Sequence, residues 1–191
     1  NLHQSLPRNG AHTVDIVRTL NELENYDGLV LPGVGNFDSA ISSIQKDSIS
    51  LIAAVDSGMP ILGICLGLEM LFNKSEEGIL DGLKVLDGNV LILPKTKVKV
   101  PHIGWNNLRI VKTECNLLKG IPQDSWVYFV HSYHIEPQDE NLIAAITDYG
   151  STLPVVIERS NLLGTQFHPE KSGKIGAQIM KNFVNICEKN E

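Results

Sequence analysis

The run Gly63-Ile64-Cys65-Leu66-Gly67 leaves this chain few ways to fold. Ahead of the cysteine, residues 61–64 form a short apolar stretch that reads as a buried strand. Behind it, residues 68–72 are apolar and helix-friendly. A strand that turns at once into a helix lifts the residue at the crossing onto a strained backbone, where a nucleophile is presented. Glycines two positions to either side keep side chains out of the tight crossing. A helix starting beside the sulfur is expected to lower the thiol pKa and favour the thiolate. A lone cysteine is more often a buried structural residue. Glycines on both sides of a strand-to-helix switch weigh against that reading here.

Bulk properties narrow the class further. The 191 residues suffice for one domain, 1–191, with a sizeable core. A formal net charge of −6 argues against nucleic-acid binding, which needs a basic face to neutralise phosphates. No apolar run is long enough for a membrane helix. Cys65, Cys115 and Cys187 are odd in number and unevenly spaced. They suit a reducing cytoplasm rather than a disulfide framework or a metal site. No cofactor is called for.

Along the chain, residues 1–10 read as a poor helix broken by Pro7, and 13–17 alternate as a strand. Residues 20–26 read as a loop or short helical turn, and 27–31 as a buried strand. Apolar residues at helix spacing cover 39–55, with a break near Asp47 and Ser48. After the elbow, 73–88 is loop-like. Strands are expected at 90–93, 97–100, 108–111, 126–130 and 143–147, with Pro101 to Asn106 as a connection. Residues 155–158 and 162–167 read as a hairpin, and 175–187 as an amphipathic helix. Strand–helix alternation early and hairpins late indicate an α/β fold. Its sheet is doubly wound and mostly parallel, with helices on both faces and an antiparallel extension.

A cysteine nucleophile needs a base, and the base needs an acceptor that fixes its tautomer. His168-Pro169-Glu170 supplies both, with Pro169 holding the stretch extended. His102 and His131 also lie near strand ends and compete for the role, while His3, His12 and His134 read as surface residues. Pro32-Gly33-Val34-Gly35, between a strand and a helix, can present backbone N–H groups to an anion. No lysine follows, so an oxyanion hole fits better than a phosphate site.

Taken together, Gly63-Ile64-Cys65-Leu66-Gly67 and Thr165-Gln166-Phe167-His168-Pro169-Glu170 resemble the triad, or class I, glutamine amidotransferases. Pro32 to Gly35, Val100 to Asn106, Tyr128 to Tyr133 and Phe167 to Gly173 resemble one family among them, the glutaminase subunits of imidazole glycerol phosphate synthases. The resemblance runs from Gly28 to the end. It implies hydrolysis of glutamine to glutamate and ammonia through a Cys65 thioester, with His168 as base and Glu170 orienting it. It implies an oxyanion hole from Gly33, Val34, Gly35 and Leu66, and glutamine binding by Glu69, Ser132 and Tyr133. It also implies delivery of ammonia to a (β/α)8-barrel cyclase partner in histidine biosynthesis. Pro101, His102, Gly104, Trp105, Asn106 and Lys171 would then lie at that interface.

Two departures from the family pattern stand out. Glu69 occupies a position where glutamine is usual, and a carboxylate there would repel the substrate's own α-carboxylate. The family also opens with a strand and a glycine-rich loop ahead of an Asn-Leu pair like Asn1-Leu2, so the chain is expected to lack its first strand and to continue before Asn1. That strand would be central in the sheet. The rival readings are a glutaminase for anthranilate or nucleotide synthesis, a cysteine peptidase or isomerase on a related elbow, and a binding partner that has lost catalysis. Against the first stand the Gly33 loop and Gly104-Trp105-Asn106. Against the last stand intact Cys65, His168 and Glu170.

Overall fold

A computed structural model describes residues 2–33 and 35–189. In chain order the elements are α1 (Leu2–Arg8), β1 (Leu29–Leu31), α2 (Phe37–Ile44), α3 (Ser48–Asp56), β2 (Ile61–Ile64) and α4 (Leu66–Glu69). Next come β3 (Lys74–Ser75), β4 (Gly88–Ile92), β5 (His102–Asn107), β6 (Arg109–Ile110), β7 (Trp126–His131) and β8 (Tyr133–Pro137). The chain closes with β9 (Ile143–Asp148), β10 (Thr152–Arg159), β11 (Leu162–Thr165) and α5 (Gly173–Glu188).

The principal sheet runs β1-β2-β11-β10-β9-β6. Its first three strands are parallel, with Ile64 opposite Thr165, and the rest are antiparallel. Parallel strands need cover on both faces, and the sequence supplies it. On one face, Leu62, Ile64 and Leu163 pack with Ile179, Met180 and Phe183 of α5. On the other, Leu31, Ile61 and Leu162 pack with Leu51 and Ala54 of α3 and Leu68 of α4. Each large side chain so buried contributes about 1.5–3 kcal/mol. By that measure α5, with a full buried stripe, is held firmly. Helix α1, which offers Leu2 and Leu6 partly buried, is held weakly.

Several local expectations need correcting. Residues 13–17 form no strand, and Ile16 is largely exposed. A strand needs a pairing neighbour, and the outer side of β1 carries none among the described residues. Residues 97–100 form no strand; the turn at 95–97 is closed by Pro94, whose carbonyl accepts from Lys97 and Val98. The stretch expected as a connection, His102–Asn107, is strand β5, paired antiparallel with β7 in a ribbon of its own. Strand β8 pairs with β4 beside the short β3. Helix α4 starts at Leu66, directly after the cysteine, and stops at Glu69.

Candidate active site

Adjacent parallel strands end at the same sheet edge, so β2 and β11 deliver the residues that follow them to one place. Cys65 follows β2 with φ +52° and ψ −113°, the strained elbow geometry expected. Its N–H donates to Thr165 O at 2.7 Å, fastening the elbow to β11. His168 lies just beyond β11. The thiol donates to Val130 O at 3.8 Å, and Gln166 Nε2 donates to Sγ at 3.8 Å.

The elbow is crowded enough to demand its glycines. A Cβ on Gly67 would overlap the carbonyl oxygen of Leu31 at the end of β1. Overpacking against backbone cannot be relieved by a rotamer change. Gly67→Ala is therefore expected to cost about 3 kcal/mol of folding stability, read as a lower urea midpoint. A change below about 0.5 kcal/mol, the scatter of an ordinary surface substitution, would show that β1 and the elbow are not in close contact.

His168 Nδ1 lies 2.9 Å from Glu170 Oε1, with the His168 side chain buried and that of Glu170 partly so. Nδ1–H therefore donates to the carboxylate, which leaves Nε2 as the basic nitrogen. Burial alone would raise the Glu170 pKa. The hydrogen bond and charge of His168, with Lys171 nearby, outweigh it and hold the carboxyl below its usual value. Ser172, which sequence reasoning passed over, fixes this turn. Its Oγ donates to His168 O at 2.7 Å and accepts from Tyr128 N at 3.0 Å.

The sulfur departs from expectation. Burial, reinforced by the charge of Glu69, pushes the Cys65 thiol up to about 12, despite the Leu66 N–H that acts the other way. A four-residue helix offers too little dipole to offset desolvation. The resting group is a thiol, so a base must take its proton as the reaction begins.

Gly33 packs directly against the Leu66 amide, where a Cβ would collide with Leu66 N. That places the Gly33 loop beside the Leu66 N–H. Gly35 has φ +95°, and Val34 lies outside the described residues. Ser132 and Tyr133 line a cavity of about 650 Å³ together with Glu77, Lys95 and Lys99. Glu77 was not singled out from sequence. Its carboxylate also accepts from Phe37 N at 2.9 Å, which ties the loop after β3 to α2.

Glu69 is 3% exposed and accepts from Gln166 Nε2 at 2.8 Å. Burial, opposed by that hydrogen bond and helped by the charge of Glu77, pushes its carboxyl up to about 8. A carboxyl held this high favours its neutral acid form at neutral pH, which weakens the repulsion expected of a carboxylate at this position.

The residues expected at an interface divide. Pro101 and Trp105 are exposed on the β5–β7 ribbon, Gly104 and Asn106 are half-buried there, and Lys171 is exposed next to the His168 turn. His102 is instead buried, stacked between Phe129 and Tyr149, with Nδ1 3.0 Å from His131 Nε2. Its side chain is enclosed and does not reach the surface. Ile103 (60% exposed) and Trp126 (59%) join Trp105 (51%) as large apolar side chains left open on the ribbon.

The profile of "Glutamine amidotransferase class-I" matches residues 1–187. The chain belongs to the class I glutamine amidotransferases. This amidotransferase is 48% identical over 175 residues to "Imidazole glycerol phosphate synthase subunit HisH" of Methanocaldococcus jannaschii, covering 91% of this chain and 87% of that one. It is 44% identical to the protein of the same name from Synechococcus sp. (strain JA-3-3Ab), covering 97% and 89%. Among solved structures, a "putative gmp synthase subunit a protein" from Thermoplasma acidophilum superposes with a TM-score of 0.73 at 24% identity, covering 98% of this amidotransferase and 87% of that chain. That likeness speaks to the fold. Among the described residues no helix is long and apolar enough to cross a membrane.

Proposed function

We propose that this amidotransferase hydrolyses glutamine to glutamate and ammonia as the glutaminase subunit of an imidazole glycerol phosphate synthase. Ammonia passes to a (β/α)8-barrel cyclase partner in the cytoplasm. The observation that carries the reading is Cys65 on its elbow at the end of β2, with the His168–Glu170 pair at the end of the adjacent parallel β11.

His168 Nε2 takes the thiol proton as Sγ attacks the side-chain amide carbon of glutamine. Glu170 stabilises the imidazolium through Nδ1–H. The negative oxygen of the tetrahedral intermediate is met by the Leu66 N–H and by the loop of Gly33, Val34 and Gly35. On collapse the C–N bond breaks, and His168 returns its proton to the departing nitrogen to give ammonia and a glutamyl thioester. His168 next takes a proton from water, whose oxygen attacks the thioester. The proton returns to sulfur as glutamate leaves. Ser132, Tyr133 and Glu77 surround the amino-acid end of the substrate, with the Glu77 carboxylate suited to its ammonium, while Glu69 is buried against Gln166 and acts through that pair.

The exposed Ile103, Trp105 and Trp126 offer the partner an apolar ribbon, with Pro101, Gly104, Asn106 and Lys171 around it. The relatives quoted above favour this pathway over anthranilate or nucleotide synthesis. Glutamate formation from glutamine is measured for the chain alone and with a cyclase subunit holding its nucleotide ligand. Hydrolysis that rises with the liganded cyclase is expected. No glutamate in either mixture would sink the reading, and hydrolysis indifferent to the cyclase would remove the partner.

A further inference from the structure

Beneath Cys65 lies a buried pair that the triad chemistry does not use. Gln166 is fully buried, and its Nε2 donates both to Glu69 Oε1 at 2.8 Å and to Cys65 Sγ at 3.8 Å. The other atom of that carboxamide, Gln166 Oε1, is buried without a hydrogen-bond partner. A buried acceptor left unpaired is costly. Beside it sits a carboxyl that can donate when protonated and cannot when ionised. The other titratable groups facing Glu69 are Cys65 on its own turn, Glu77 from the loop after β3, and Tyr133 at the start of β8. None is a cation. An ionised Glu69 would thus be a buried charge without a counter-ion, next to a second carboxylate and to a sulfur that must itself become negative.

We propose that Glu69 is a positioning residue that works only as a neutral acid, its O–H donating to Gln166 Oε1 in a closed carboxyl–carboxamide pair beneath Cys65, and that loss of this proton switches thioester formation off. This deepens the glutaminase reading and rests on it. The neutral pair holds Gln166 Nε2 toward the sulfur. Ionisation removes the O–H, draws Gln166 Nε2 more strongly to Glu69, and sets a negative charge beside the forming thiolate and the substrate's α-carboxylate. Burial pushes the carboxyl up to about 8, so the switch falls just above neutrality.

Two measurements test the pair independently. In wild type with glutamate labelled by carbon-13 at the side-chain carboxyl, one resonance is expected to titrate near pH 8. If every glutamate carboxyl titrates close to its ordinary value of about 4.3, the proposal is overturned, whatever the enzyme does. In the complex with the liganded cyclase, kcat/KM for glutamine is compared at pH 7 and pH 8.5. A group titrating near 8 lowers it about fourfold in wild type over that interval, and Glu69→Gln flattens the fall to within about 1.5-fold. The substrate's own amine titrates equally in both enzymes and cancels in the comparison. An unchanged alkaline fall in Glu69→Gln overturns the proposal. A resonance near pH 8 in a protein that releases no glutamate would leave the acid pair standing and overturn the glutaminase reading instead.

Discussion

Cys65→Ala is expected to lower kcat for glutamine hydrolysis by at least about 10⁴-fold, because no other group can form the acyl bond and triad members act as a unit. Binding of the cyclase is expected to persist, since the sulfur lies within the site and the exposed ribbon lies elsewhere. The decisive contrast is with the other thiols. Cys115 is buried and its Sγ donates to Glu158 Oε2 at 3.0 Å, so it serves packing and the Glu158 network. Cys115→Ala should lose stability and keep its hydrolysis per folded molecule. Measured as glutamate released per active complex, hydrolysis by Cys65→Ala within tenfold of wild type would remove the nucleophile assignment.

A second large effect concerns pH and stability, and two buried groups act in opposite senses. His131 is pushed down to about 4, mainly by burial, against the Tyr133 carbonyl that accepts from its Nδ1. Its folded pKa lies below its unfolded value of about 6.5, so the unfolded chain binds more protons as pH falls. Stability is therefore lost between about 6.5 and 4, amounting to about 2.5 kcal/mol by pH 4.5. His102, also pushed down to about 4 by burial, adds to the loss. Glu69 runs the other way. With a folded pKa near 8, it binds its proton in the folded state first, and stability rises as pH falls from about 8 toward 4.5. Between pH 7 and 4.5 that gain is about 3 kcal/mol, enough to offset His131. Wild type should accordingly still lose stability toward pH 4.5, through His102 beyond what Glu69 offsets, and Glu69→Gln should lose about 3 kcal/mol more than wild type over the same interval. Urea unfolding of both proteins at several pH values reads the difference. Parallel profiles would mean that Glu69 is ionised in the folded state at neutral pH.

What the sequence disclosed and what it concealed divide along a physical line. The elbow and the His168-Pro169-Glu170 turn are local. Spacing points to Cys65 as the candidate nucleophile and to His168 with Glu170 as one candidate base pair among several histidines, whereas Leu66 enters only through the family resemblance. The Glu69–Gln166 pair joins residues 97 positions apart, and nothing local to either announces the other. The same holds for Glu77, brought to the cavity by a loop that reads as featureless. The direction of the Cys65 shift was also hidden, because it depends on how much protein covers the sulfur rather than on which helix follows it. Strand β5 escaped notice because Pro101 and Gly104 read as turn residues and its apolar positions, Ile103 and Trp105, are the exposed ones; it becomes a strand through its pairing with β7. Residues 13–17 show the converse. They have the alternation and lack the pairing, so they remain irregular.

The backbone at Cys65 carries one further implication. A residue with a side chain held at φ +52° and ψ −113° stores about 1–3 kcal/mol that glycine in the same place would not. A lineage freed from the need for chemistry would relieve that strain by drifting to glycine there, at the cost of the sulfur's packing against the core. The elbow therefore works as a record of use. Its strain persists only while a side chain is wanted at that point, so among relatives of this fold a glycine at this position would mark a subunit kept for its surface alone, and a cysteine one still selected for turnover.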